Sequence, residues 1–92
     1  MTAADVNFDY LISFVSVHDA VRAEHLMGEA GIKVAARPTP REIDLSCGHS
    51  LLLAADDKAA ALAVLTENAA RWSKLYHRVS ARVWEKISEY GE

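Results

Sequence analysis

Apolar residues fall in compact blocks along the chain, separated by short mixed stretches. The block from Asp9 to Val17 is nearly continuous and rich in aromatic and β-branched residues, which predicts a central strand covered on at least one face. After His18 and Asp19 the period changes. Ala20, Ala23, Met27 and Ala30 recur at steps of three or four, with Leu26 beside them and Arg22, Glu24 and Glu29 on the other side. That pattern predicts a helix over 19–30, capped by Ser16 or Asp19 and stopped by Gly31. Ile32 to Ala36 reads as a short strand and Ser50 to Ala55 as a buried one. Asp56-Asp57 then offers a cap to a helix over 60–69, with Leu62, Leu65 and Ala69 at helical spacing. Beyond it two readings stay open. Leu75, Val79, Val83 and Ile87 stand four apart, as do Lys74, Arg78, Arg82 and Lys86, which suits an amphipathic helix. Trp72 to Val79 equally suits an aromatic strand.

Strand, helix, strand, loop, strand, helix and a final strand make a βαββαβ order. The expected fold is therefore α+β, a ferredoxin-like sandwich with a small antiparallel sheet and two helices on one face. Residues 1–8 read as a flexible arm, 9–79 as the domain, and 80–92 as a C-terminal extension for which a helix remains open.

Composition narrows the functions. With 92 residues, 51% of them hydrophobic, the chain builds one cored domain. No apolar run approaches the roughly 18 residues that cross a bilayer, and Met-Thr-Ala-Ala-Asp lacks the basic start of a signal peptide. A cytoplasmic protein without membrane partners is expected. One cysteine allows no internal disulfide, and no Cys or His spacing resembles a zinc module. The four glycines are too dispersed for a phosphate-cradling loop, so no metal and no cofactor are expected. Charge is uneven: residues 71–86 carry five bases against one acid, whereas the preceding part is acidic. Such asymmetry can steer an acidic partner, but no aromatic-and-basic sheet motif for nucleic acid accompanies it.

The chemistry concentrates in Pro38 to His49, which holds both prolines and the only cysteine. Arg37-Pro38-Thr39-Pro40 should be extended and stiff. Gly48 after Cys47 offers a turn or a close approach. A thiol so presented suits sulfur chemistry, and equally a small buried hydrophobe.

Two stretches resemble one family. Phe14 to Glu24 (Phe-Val-Ser-Val-His-Asp-Ala-Val-Arg-Ala-Glu) is similar to its opening pattern, a strand ending in Ser/Thr-His, then Ala and Ala-Glu. Pro38-Thr39-Pro40-Arg41-Glu42-Ile43-Asp44-Leu45-Ser46-Cys47-Gly48 resembles its signature, Pro-x-Pro-Arg-x-Ile-Ser-Ser-Ser-Cys-Gly. The family is the domain-of-unknown-function 3343 family, described as selenium/sulfur carrier-like. The resemblance implies that Cys47 holds sulfur or selenium as a persulfide or selenosulfide for a partner enzyme. His18 and Arg41 would be its polar neighbours, and Ser46 and Gly48 the flanking motif positions. Arg22 and His49 are further sources of positive charge. Asp44-Leu45 departs from two serines and opposes that charge, and Ala69 or Ala70 replaces a glycine usual after the second helix. A carrier or accessory protein fits better than a stand-alone enzyme. The competing reading is a non-catalytic adaptor docking on a larger enzyme complex, and self-association through an unpaired sheet edge is compatible with either.

Overall fold

The computed structural model describes residues 8–41, 43, 48–80 and 83–90. Five strands and two helices follow one another as β1 (Tyr10–Phe14), α1 (Val17–Glu29), β2 (Val34–Pro38), β3 (His49–Leu53), α2 (Lys58–Glu67), β4 (Lys74–Ser80) and β5 (Val83–Glu89). A 3-10 turn over Ala55–Asp57 leads into α2. The strands form one antiparallel sheet in the order β2-β3-β1-β4-β5. The molecule is thus a small α+β protein, but with a fifth strand at one edge, so the four-stranded sheet expected from the sequence is corrected.

Alternation along the strands sorts side chains onto two faces. Ile12 and Phe14 of β1, Leu51 and Leu53 of β3 and Leu75 of β4 share one face and pack with Ala23 and Met27 of α1 and Ala61 and Leu65 of α2. Both helices therefore cover the same face. Fully burying a side chain such as Met27 or Leu65 contributes roughly 1.5–3 kcal/mol. The alanines of each helix let its axis lie close to the sheet. Leu11, Leu52 and Tyr76 point the other way and are also buried, with Phe8, Ile43 and Trp84 against them. Phe8, expected in a flexible arm, is 4% exposed and belongs to this second cluster.

Ser16 is the residue that caps α1: its backbone is extended and its hydroxyl accepts the Asp19 N–H at 3.1 Å. Asp57 occupies the corresponding place before α2 but makes no side-chain cap bond. Both helices end in the same motif. In α1, Gly31 N–H donates to Gly28 and Ile32 N–H to Met27; in α2, Ala69 N–H donates to Thr66 and Ala70 N–H to Leu65. These are Schellman pairs, which require a left-handed residue just past the helix. Gly31 (φ 80°) supplies it first and Ala69 (φ 51°) second.

The helix left open for 72–90 is not formed. A spacing of four is even, so Leu75 and Val79 share a strand face as readily as a helix stripe. Aromatic and β-branched content decides for strands: β4 pairs with β1 and β5 with β4, the latter through irregular register at Leu75/Tyr76 and Arg78/Ser80. The 80–92 extension thereby supplies a strand of the same sheet. Arg78 lies over the Trp84 ring at 4.9 Å, tying the last two strands together.

Candidate functional site

The signature connects β2 to β3, and its neck is closed by three layers of contacts. Pro38 pairs with His49 as the last rung of the ladder. Pro38 is tolerated there because β2 is an edge strand. One step further, Thr39 N–H donates to the Gly48 carbonyl at 3.2 Å. Above the sheet the Thr39 and Ser50 hydroxyls share a short hydrogen bond, with the two residues 9% and 1% exposed. Buried hydroxyls need such a partner, because an unsatisfied one costs about 1–3 kcal/mol. Past the neck, Ile43 N–H donates to the Pro40 carbonyl at 3.0 Å. The chain therefore makes a tight turn that sets Ile43 against the second apolar cluster and leaves Arg41 exposed. Cys47 and Ser46, with Glu42, Asp44 and Leu45, lie outside the described residues.

Beside the neck, a cleft of about 310 Å³ opens between α1 and the strands β2 and β3. Val17, Ala20, Val21 and Glu24 form its helical wall, and Ala36, Pro38, Gly48, His49 and Leu51 are among the residues opposite. Helix positions 17, 20, 21 and 24 are one stripe, so α1 presents an apolar face ending in a carboxylate. Ala20 is buried, whereas Val17 and Val21 are exposed and form its rim.

Of the residues singled out from the sequence, Gly48 lines this cleft. No described atom stands within 4 Å of a Cβ built on it. His18 is exposed and is not among the residues lining the cleft. Arg22, one turn further along the His18 stripe, donates through its guanidinium to the Asn68 carbonyl at 2.8 Å. It thus serves the C-terminal end of α2, where last-turn carbonyls lack helical partners and a cation is favoured. His49, two residues past Cys47, is exposed and lines the cleft. Sequence reasoning missed the helical wall. The available signal was a pair of valines, Val17 and Val21, four apart on the side of α1 expected to be polar. Among the described residues no group of three His, Cys, Asp or Glu is placed to hold a metal, and no helix is long and apolar enough to cross a membrane.

The model of the family described as "putative Se/S carrier protein-like" matches residues 9–77. The chain belongs to this family. No curated protein and no solved structure matches it. The matched span of this Se/S carrier-like protein runs from the residue before β1 into β4 and takes in the cleft, the clamped neck and the whole signature. Strand β5 lies beyond it.

Proposed function

We propose that this Se/S carrier-like protein holds a persulfide or selenosulfide on Cys47 and passes it to a partner enzyme in the cytoplasm. The observation that carries this reading is the family match, which spans Cys47 in its signature. The clamped neck supports it, because Thr39 and Gly48, beside the cleft, fix the ends from which the signature leaves the sheet. The loading step is a sulfur transfer between thiols. The Cys47 thiolate attacks the terminal sulfur of a donor persulfide, the donor's S–S bond breaks, and the donor leaves as a thiolate. The new S–S bond sits on Cys47, and no external oxidant or reductant is consumed. An ordinary thiol, with a pKa near 8.5, is only a few per cent ionised at neutral pH, so cations or amide N–H groups at the signature would speed this step. Arg41 and His49 are the groups in this neighbourhood that can supply charge, with His18 as a further candidate. We read the scaffold as a ferredoxin-like βαββαβ unit, β1 to β4 with both helices, to which β5 has been added at the edge; the shared helix-covered face supports that reading.

The test is incubation with a cysteine desulfurase and cysteine, followed by intact-mass measurement. A gain of one sulfur atom that a reductant removes, and that Cys47→Ser abolishes, is the expected result. A thiol left unmodified by several persulfide donors would refute the carrier reading.

A further inference from the structure

The two edges of the sheet are finished differently. β5 carries Glu85, Lys86 and Glu89, side chains of the kind that discourage another strand from adding. β2 reads Val-Ala-Ala-Arg-Pro, with no acid and no bulky side chain on its helix-covered face beyond Val34. Its hydrogen-bonding phase follows from the neck. Because Thr39 N–H donates to Gly48, residues 35, 37 and 39 turn their backbone groups toward β3, and residues 34 and 36 turn theirs outward. The Ala36 carbonyl accepts the guanidinium of its own neighbour Arg37 at 2.9 Å, as an outward-facing group can. Along the same edge the cleft runs between Ala36 and Pro38 on one side and Val17 and Val21 on the other, the two valines 55% and 58% exposed. The edge is also basic: Lys33 and Arg37 are exposed along it, Arg37 lining the cleft as well, with Arg41 beyond them.

We infer that the β2 edge docks an extended segment of a partner protein, which adds as a sixth strand. Its alternate side chains are bulky and apolar and fill the cleft between α1 and β2. The intervening side chains are acidic and lie beside Lys33 and Arg37. The outward backbone groups of residues 34 and 36 supply affinity once Arg37 yields the Ala36 carbonyl, the cleft selects alternate side chains, and the charged flank fixes register. A second copy of the chain fits less well. Pairing β2 with itself offers only Val34, Ala36 and Pro38 to a cleft of about 310 Å³ and brings no acid from β2 to the edge. The inference does not depend on sulfur chemistry at Cys47.

The test is an NMR titration of the isotope-labelled full chain with a blocked hexapeptide that alternates glutamate with isoleucine or leucine. Saturable shifts of the Val34 and Ala36 amides and of the Val17 and Val21 methyls are expected, with a Kd between micromolar and about 1 mM. Ala36→Pro deletes an outward N–H and leaves the β3 ladder intact, while Val21→Glu puts charge into the cleft at an exposed helical position. Each should weaken binding about tenfold or more. A peptide of equal composition with its acids and apolar residues in separate blocks should bind about tenfold less tightly. Absence of saturable shifts overturns the inference, as does equal binding of the two peptides or indifference to Val21→Glu. So does a concentration-dependent dimer that Ala36→Pro dissociates. If Ala36→Pro disturbs the fold, visible in the same spectra, Val21→Glu decides alone.

Discussion

Ala69→Gly should stabilise this protein, although it removes a methyl group. Ala69 stands in the left-handed region at φ 51°, where the Schellman pair at the end of α2 requires such a residue. For a residue with a Cβ that conformation costs roughly 1–2 kcal/mol. Glycine escapes the penalty but loses about 0.5–1 kcal/mol more backbone entropy on folding. The net gain is therefore on the order of 0.5–1 kcal/mol. In a domain of this size each kcal/mol moves Tm by about 4–8 °C, so a rise of about 2–8 °C in a circular-dichroism melt is expected. Gly31 is the internal control, since it closes α1 with the same two hydrogen bonds at φ 80°. Gly31→Ala should lower stability by about 1 kcal/mol, and the cause would be conformational, because no described atom lies within 4 Å of the new Cβ. If Ala69→Gly is neutral or destabilising while Gly31→Ala is tolerated, the left-handed penalty is not what these caps are built around.

Thr39→Ala strands the Ser50 hydroxyl in a buried site and should cost about 1–3 kcal/mol in urea denaturation, whereas Thr39→Val combined with Ser50→Ala should recover part of that loss. Arg22→Met deletes the bond to the Asn68 carbonyl, for an expected loss of about 0.5–1 kcal/mol, and leaves the alkylation rate of Cys47 unchanged; a slowed thiol would return Arg22 to the site. Removing residues 81–92 takes Trp84 off the Phe8, Leu11, Leu52 and Tyr76 cluster and leaves β4 paired with β1 alone. The shortened chain should then bind a hydrophobic dye and melt in a broad transition, and an unchanged melt would show that β5 is dispensable.

Much of the fold was legible because local signals agreed with it. The three-and-four spacing of Ala20, Ala23 and Met27 marked α1 and Gly31 its end, while the start lies at Val17, two residues before the expected Asp19, because Ser16 rather than Asp19 is the cap. The continuous apolar run of β1 reflected a strand with apolar clusters on both faces, Ile12 facing one and Leu11 the other. The tail was ambiguous for a physical reason: residues four apart satisfy both periods, so spacing alone does not separate them and strand-forming content and pairing with β1 do. Arg22 illustrates a different limit. Its partner is a backbone carbonyl 46 positions away, exposed by the way α2 ends, and no local pattern in the sequence encodes that meeting. The signature announced its family plainly. What it could not announce was the cleft beside it, whose walls come from α1, β2 and β3 and converge only after folding.

Ile43 gives the signature a mechanical property. Among the described residues the turn from Pro40 meets the sheet through the half-buried Ile43, whereas the neck below it is locked by a backbone bond and two sequestered hydroxyls. Lifting Ile43 off the sheet forfeits part of one aliphatic residue's burial, on the order of 1 kcal/mol, while unzipping the base forfeits considerably more. Amide exchange should accordingly be stepped, with the Ile43 proton escaping through frequent small excursions and the Thr39 proton through rarer ones that approach unfolding of the β2–β3 ribbon.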